Sequence, residues 1–271
     1  MKHAQKVTAD ACAEESDHGF YLPAARVNDW HSHGVLTSHF MNTFSVMAPA
    51  FERFITVSVK HYQPLVESTP LKTSIAAMLI QEAGHHREHR HYNGLIEEVG
   101  LPGRGLERLA RTMLDTVLMR PWITPSFRLA VAMMLEHQAA LASTVTLNSP
   151  ALLEGSLRGY ARLWSWHARE ETDHRSVAYN LWIEVMGRDL RSYLIRVSGG
   201  ACAAVLTFTV AAAIFARLLA ADKNLSIGNL ALKRFLRFHY GPGGLVIGSA
   251  RLWFRYFLPG FHPGMYDRIS R

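Results

Sequence analysis

Two segments of the chain each place a histidine three residues after a glutamate. The first segment holds Glu82 and His85, and the second holds Glu171 and His174. Residues three apart lie on one face of an α-helix, so each pair presents a carboxylate and an imidazole on adjacent turns. One such pair arises easily by chance. Two pairs, on two long segments with helical periodicity, indicate a metal site.

Two further glutamates complete a recognisable ligand set. Glu136 lies among apolar residues at its helical neighbours, and a buried carboxylate is costly unless it is paired or binds a metal ion. Glu52 lies in another predicted helix. The chain order is then Glu, Glu-x-x-His, Glu, Glu-x-x-His, the ligand order of di-iron and di-manganese carboxylate bundles. We therefore predict two metal ions held by Glu52, Glu82, His85, Glu136, Glu171 and His174.

Four other side chains are candidates for extra ligands or for partners that orient the ligands. His89 lies one helical turn after the first Glu-x-x-His pair, and His167 lies one turn before the second glutamate. His137 adjoins the glutamate of the third helix but faces elsewhere on an ideal helix. Glu170 is either such a partner or part of a solvated face with neighbouring arginines. Residues with a catalytic role beyond metal binding are not assigned.

The elements that must position these residues are helices. Strand signals are nearly absent, and prolines precede several runs with helical periodicity, where a missing N–H costs nothing. Four predicted helices cover residues 49–62, 70–98, 125–146 and 150–186, and a further, shorter helix covers residues 106–119. This pattern predicts an all-α protein built as an antiparallel four-helix bundle.

We divide the chain into three parts. Residues 1–46 are expected to be irregular, residues 47–187 form the metal-binding bundle, and residues 188–271 form an apolar C-terminal helical segment. Residues 198–216 contain no charge and are predicted to be one continuous helix that is buried, dips into a membrane or crosses it. The aromatic and arginine-rich stretch 235–266 suits a membrane interface, a partner surface or a wrap packed on the bundle.

The motifs resemble those of bacterial proteins described as "predicted metal-dependent hydrolase", a ferritin-like group. The likeness spans residues 47–262, and Ala50 and Phe51 stand where the family has its usual small residues. It implies a ferritin-like antiparallel four-helix bundle and a metal-dependent enzyme. The apolar C-terminal segment adds extra C-terminal hydrophobic helices to the predicted fold. The matching pieces are Glu82-x-x-His85-x-x-x-His89, Glu136-His137, Trp166-His167-x-x-Glu170-Glu171-x-x-His174 and Phe261-His262-Pro263.

The predicted ligand set allows three functions. Carboxylates with two imidazoles favour iron, and manganese or zinc also fit. We expect a di-iron centre that oxidises or oxygenates a hydrophobic or lipid-like substrate with O₂, since ligands flanked by apolar residues give an enclosed site. An external electron donor is then required, because no electron-carrier motif is present. The first alternative is a di-metal hydrolase of ester, amide or phosphate bonds. The second alternative is a non-catalytic metal-binding bundle.

Composition and motifs narrow the remaining classes. The net charge of +7 is spread along the chain, so nucleic acid is not an expected partner. No Gly-x-Ser-x-Gly, P-loop or dinucleotide motif is present. The N-terminal residues lack the apolar core of a secretory signal, and Cys202 lies in an apolar run, so a cytoplasmic protein is expected. Association with the inner face of the membrane and a homodimer stay open.

Overall fold

The computed structural model describes residues 18–174 and 176–264, and all regular structure in these residues is helical. The predicted all-α helical bundle is therefore confirmed. Three short 3₁₀ turns lie at Ala24–Arg26, Gln63–Leu65 and Pro150–Leu152. The α-helices are α1 (Val35–Tyr62), α2 (Thr69–Glu98), α3 (Gly103–Leu118), α4 (Pro125–Asn148), α5 (Arg158–His174), α6 (Val177–Met186), α7 (Leu190–Ala221), α8 (Asn229–Tyr240) and α9 (Leu245–Arg255).

Helices α2 and α4 begin close to where the sequence predicts. Ser68 caps α2 by accepting a hydrogen bond from the Leu71 N–H, and Thr124 caps α4 by accepting one from the Phe127 N–H. In both helices a proline occupies the first turn, where no N–H is needed. One face of α2, with residues that recur every three or four positions, points to the core. Its members Ile75, Met78, Glu82, His85, His89, Asn93 and Ile96 are all buried.

The first helix is longer than predicted. α1 begins at Val35, so residues 35–46 are helical and the predicted irregular segment 1–46 is wrong over that part. Residues 1–17 of that segment lie outside the described residues. Pro49, expected at the helix start, lies inside α1, where it removes one backbone hydrogen bond at a cost of about 3 kcal/mol. Burial of Val46, Met47 and Phe54 on either side of the proline offsets that cost.

The predicted helix 150–186 is also wrong, because the chain forms two helices there. Pro150 begins a 3₁₀ turn, and Gly155 adopts a left-handed φ of 74° before α5 starts at Arg158. α5 then ends at His174, and α6 begins at Val177. The apolar periodicity continues across this second break, which is why the sequence pattern does not reveal it. The faces of α5 and α6 still point to the same core.

The uncharged stretch 198–216 lies within α7 and is one continuous helix, as predicted. α7 packs along α4 and α1, so the C-terminal segment joins the bundle. Among the described residues, α7 alone is long and apolar enough to cross a membrane by length and composition. Those two properties are weak support for a crossing, because core helices share them.

Close packing of α7 on α4 depends on Gly199. A Cβ atom at this position would lie 2.5 Å from the Cβ of Ala130. We expect Gly199→Val to push the helices apart and to lower the free energy of unfolding by about 1–3 kcal/mol. Ala201→Val, at an exposed position of the same helix, is the matched control. Thermal unfolding of both variants checks this, and equal melting temperatures would contradict the packing argument.

Candidate metal centre

The six side chains predicted as metal ligands converge on one buried space between α1, α2, α4 and α5. Each is at most 5 % exposed, although all carry groups that are charged or strongly polar. Four carboxylates in one buried space repel one another and lose their hydration. The residues are Glu52 of α1, Glu82 and His85 of α2, Glu136 of α4, and Glu171 and His174 of α5.

The side chains form two groups, each of a size that fits one metal ion. Within each group, one nitrogen or oxygen of every member lies within 4.8 Å of the others. His167, predicted as an extra ligand or orienting partner, belongs to the first group. The first group is Glu52, His85 and His167, and the second is Glu82, Glu136, Glu171 and His174.

Glu82 and Glu171 belong to the second group and also face histidines of the first group. Glu82 places Oε1 3.0 Å from Nδ1 of His174 and Oε2 4.0 Å from Nδ1 of His85. Glu171 places Oε1 3.5 Å from Nδ1 of His85 and 3.3 Å from Nε2 of His167, and Oε2 3.7 Å from Nδ1 of His174. Each carboxylate therefore turns one oxygen to each group. Carboxylates that bridge two ions have this arrangement.

The far nitrogens of His174 and His85 contact polar groups outside the cluster. Nε2 of His174 donates to Oε1 of Gln81 at 2.9 Å. Nε2 of His85 lies 3.0 Å from Oε2 of Glu170, and Trp166 Nε1 donates to the other oxygen of that carboxylate at 3.0 Å. Such contacts orient metal-binding imidazoles. They leave Nδ1 of both histidines directed at the carboxylates.

A chain of hydrogen bonds runs from His167 to the surface of α3. Nδ1 of His167 lies 3.2 Å from Nε2 of His89, and Nδ1 of His89 lies 3.1 Å from Oγ of Ser45. Ser45 donates to Oδ1 of Asn93 at 3.0 Å, and Nδ2 of Asn93 donates to Glu107 at 3.1 Å. A carboxylate only accepts, so Glu107 determines the direction of every bond in the chain.

The direction of that chain leaves Nε2 of His167 without a hydrogen. His89 donates through Nδ1 to Ser45, so its Nε2 accepts the N–H of His167 Nδ1. Burial, with the nearby His85, lowers the pKa of His167 to about 3, and burial lowers that of His89 well below its usual value, so both rings are neutral. A lone pair of His167 therefore faces a carboxylate oxygen of Glu171 at 3.3 Å. Two facing lone pairs repel unless a cation lies between them, so the donor set fits a metal ion.

The carboxylates have divergent pKa values. Burial, followed by the negative charge of the neighbouring glutamates, raises the pKa of Glu52 and Glu136 well above the usual value. Burial also acts to raise the pKa of Glu171, but contact with His174 and the other imidazoles outweighs it and brings the pKa to about 2. Burial acts to lower the pKa of His174, but the hydrogen bonds to Glu171 and Glu82 outweigh burial and raise this pKa to about 11.

The other predicted neighbours have distinct places. His89 and Glu170 contact histidines of the cluster, as partners that orient a ligand do. His137 belongs to neither group, and its ring packs against Tyr256 and Phe261 at 5.1 and 5.3 Å between centroids. Burial lowers the pKa of His137 to about 3, so it is a neutral core residue.

A cavity of about 200 Å³ adjoins the cluster. Glu52, Glu82, Glu136, Glu171 and His167 form its inner end. The cavity runs away from them between α1 and α4, under α7 and α8, along mostly apolar walls. Aromatic wall residues are Phe40, Phe44, Phe51, Trp164 and Phe238. The space suits an apolar substrate whose reacting group reaches the carboxylates.

Comparison with known proteins agrees with the donor set. A family described as "Predicted metal-dependent hydrolase" matches residues 16–267, which is nearly the whole chain. The chain belongs to this family. No curated protein and no solved structure matches it. Membership of the metal-dependent hydrolase family supports an enzyme that requires metal. It also agrees with the hydrolase alternative better than with the oxidation we expected from the sequence.

Several residues of this member of the metal-dependent hydrolase family were missed by sequence reasoning. Ser45 was missed because the helix was predicted to begin at Pro49. Its spacing of seven residues, two helical turns, before Glu52 was a usable signal. Gln81 adjoins a predicted ligand, yet nothing in the sequence shows which imidazole it contacts. Glu107 lies on α3, and only the packing of α3 on α2 brings it to Asn93.

We expect the metal-free protein to lose stability as the pH rises from 6.5 toward 11. The folded protein keeps the proton of His174, whereas the unfolded chain releases it near pH 6.5. Glu52 and Glu136 act in the same direction, because their folded pKa values are raised above 4.5. Buried histidines with lowered pKa values add no slope above pH 6.5.

Thermal unfolding of chelator-treated protein across this pH range tests the expectation. In Glu136→Gln an amide replaces the titrating carboxyl of this residue, so the melting temperature should fall less steeply as the pH rises. Adding a divalent ion should raise the melting temperature more at higher pH, because metal binding displaces these protons. A melting temperature that is constant or rises over the same range would show that the cluster does not hold the protons assigned to it.

Proposed function

We propose that this protein is a di-metal hydrolase that cleaves an ester or amide bond in a substrate with an apolar chain. One observation carries the proposal: Nε2 of His167 and Oε1 of Glu171 face each other at 3.3 Å, beside the apolar cavity that both residues line. A cation there removes the repulsion and is reached from the cavity. The family match supports the same reaction class.

Seven side chains hold the two ions in this proposal. Four carboxylates offset the charge of two divalent ions, so the loaded centre is close to neutral. Two divalent ions at this place would lower the pKa of water and polarise a substrate carbonyl. Glu52, His85 and His167 would hold the first ion, Glu136 and His174 would hold the second, and Glu82 and Glu171 would contribute to both.

The chain supplies positioning for the substrate. Oε1 of Gln138, on the cavity wall, accepts a hydrogen bond from Thr207 at 3.0 Å. The amide N–H groups of Gln138 are then free to donate to a polar atom of a substrate. The apolar walls bury the rest of the molecule, so binding energy comes mainly from the apolar chain.

Oxidation of a lipid-like substrate by O₂ is the second candidate. The observation in its favour is that the ligands lie in mid-helix and the cavity walls are apolar, an enclosure that suits a reactive oxygen species. An iron-loaded centre and an external electron donor are then required. The ligand set is the same for both reactions, so measurement of the reaction decides between them.

Glu82→Ala tests the centre and the reaction together. Loss of a shared carboxylate should empty the site and abolish metal-dependent activity. Glu88→Ala is the matched control, since Glu88 is also a buried glutamate of α2 but contacts His18 outside the cluster. Metal content by elemental analysis and cleavage of long-chain nitrophenyl esters and anilides by zinc- and manganese-loaded protein are measured. Full metal occupancy in Glu82→Ala would contradict the ligand assignment.

The same preparation separates the two reactions. Ester or amide cleavage that stops with a chelator and returns with zinc or manganese supports hydrolysis. Consumption of O₂ by the Fe(II)-loaded protein, without cleavage by any metal form, would replace hydrolysis with oxidation. Metal binding with neither reaction would leave a non-catalytic metal-binding bundle.

Ser45→Ala tests the role of the hydrogen-bonded chain. Without the hydroxyl, Nδ1 of His89 loses its acceptor, and His167 is no longer held with a bare Nε2. We expect metal affinity to fall about tenfold or more. Ser58→Ala is the control, because Ser58 is a buried serine of the same helix that donates only to the Phe54 carbonyl. Competition with a chromophoric chelator measures both affinities, and equal affinities would contradict this role.

A further inference from the structure

Helix α8 forms the outer wall of the cavity. Phe238 lines the cavity and is 3 % exposed. The ring of Phe40, also in the cavity wall, lies 6.1 Å from Phe238, 6.0 Å from Phe235 and 4.4 Å from His239. The inner face of α8 therefore forms part of the cavity wall.

The opposite face of α8 is apolar and basic. Leu232, Leu236 and Tyr240 follow one another at four-residue spacing and are 46, 46 and 59 % exposed. Lys233, Arg234 and Arg237 are exposed beside them. We call these six residues the α8 face. An amphipathic helix of this composition is typical of a lipid interface.

The charge of the surrounding segment is strongly one-sided. Residues 190–264 contain nine Lys and Arg residues and a single carboxylate, Asp222. The Asp222 side chain is 6 % exposed and contacts Nε2 of His39 at 2.9 Å. The outer surface of this segment, all of which the structure describes, thus presents positive charge without exposed carboxylates.

Exposed apolar side chains are concentrated in the same segment. Of eighteen large hydrophobic side chains that are exposed among the described residues, twelve lie in residues 190–258. Phe208 of α7 is 77 % exposed and Phe254 of α9 is 66 % exposed. The segment thus carries two thirds of these exposed side chains, and exposed apolar patches are typical of interaction sites.

The charge identifies the occupant. Anionic lipid headgroups attract clustered Lys and Arg, and the exposed leucines enter the layer beneath the headgroups. A second copy of the chain, packed symmetrically on the same face, would bring like charges together. The surface is therefore complementary to an anionic lipid layer and not to itself.

We propose that the α8 face docks on an anionic lipid surface and that the cavity behind it takes up an acyl chain from that surface. The identity of the cavity's occupant rests on the proposed function, whereas the docking does not. Both parts use one helix: its outer face meets the lipid layer, and its inner face lines the cavity.

Docking is tested by sedimentation of the full chain with lipid vesicles. We expect binding to phosphatidylcholine vesicles that contain phosphatidylglycerol, and little binding to phosphatidylcholine alone. Arg234→Glu combined with Leu236→Asn should weaken binding about tenfold or more, because it reverses one charge and removes one apolar contact. Lys72→Glu combined with Ile80→Asn, at exposed positions of α2, is the matched control and should bind as the unchanged protein does.

The outcomes of the vesicle experiment are distinct. Equal binding to both vesicle types, equal loss in the two double variants, or no binding at all would overturn the docking proposal. A dimer in light scattering that Arg234→Glu with Leu236→Asn disrupts would also overturn it, since the α8 face would then be an interface between copies. None of these results depends on metal or on enzymatic activity.

Uptake of an acyl chain is tested with cis-parinaric acid, whose fluorescence rises in apolar surroundings. We expect the unchanged protein to bind the probe. In Ala142→Phe, whose new side chain fills the cavity between α4 and α1, we expect the affinity to fall about tenfold or more. Ala139→Leu is a milder second variant in the same wall, and Ala201→Phe on the exposed side of α7 is the control.

Unchanged parinaric acid binding in correctly folded Ala142→Phe and Ala139→Leu would overturn the cavity assignment. Their metal content should equal that of the unchanged protein, which separates this result from a failure of the metal centre. Acyl-chain binding without ester or amide cleavage would retain the cavity assignment and reject hydrolysis.

Discussion

The burial of four carboxylates in one helical core is the constraint on which the rest of the structure depends. Removing each carboxylate from water is costly, and mutual repulsion adds to the cost. Contact with Glu171 and Glu82 raises the pKa of His174 to about 11, so in the absence of metal this imidazole supplies a compensating positive charge. Protonation of Glu52 and Glu136 removes part of the remaining charge. Two divalent ions would replace all of these protons at once.

The need to hold those groups accounts for the hydrogen-bonded layer around them. Gln81 and Glu170 each engage the outer nitrogen of one histidine, and Trp166 in turn holds Glu170. A longer chain of hydrogen bonds through Ser45 and His89 orients the imidazole of His167. Each partner is carried by a helix, so the geometry is defined by rigid elements and not by loops. The result is a set of nitrogen and oxygen atoms directed inward before any ion is bound.

The apolar part of the protein serves the same centre from the other side. The cavity begins at the carboxylates and ends under α8, so a long molecule would place one end at the polar cluster and the other near the basic outer surface. Hydrolysis needs water to enter and a polar product to leave, whereas oxygen chemistry benefits from enclosure. The family match favours hydrolysis, and the enclosure by apolar walls favours oxidation. The cavity thus limits the substrate more firmly than it limits the reaction.

The sequence by itself determined the helical class, the course of α2 and α4 and the residues that face the core. These properties follow from local rules: proline and cap residues begin a helix, and a periodicity near 3.6 marks one face. Glu82, His85, Glu171 and His174 could be selected because three-residue spacing is itself a local property. Tertiary structure decided the rest. α1 continues through Pro49 because burial of its flanks outweighs the lost hydrogen bond, and α5 ends at His174 with no local signal. Contacts between residues far apart in the chain decide which glutamates face both groups. Such contacts also connect Glu107 to His167 through four hydrogen bonds. No local pattern encodes those contacts, because they exist only once the helices have packed.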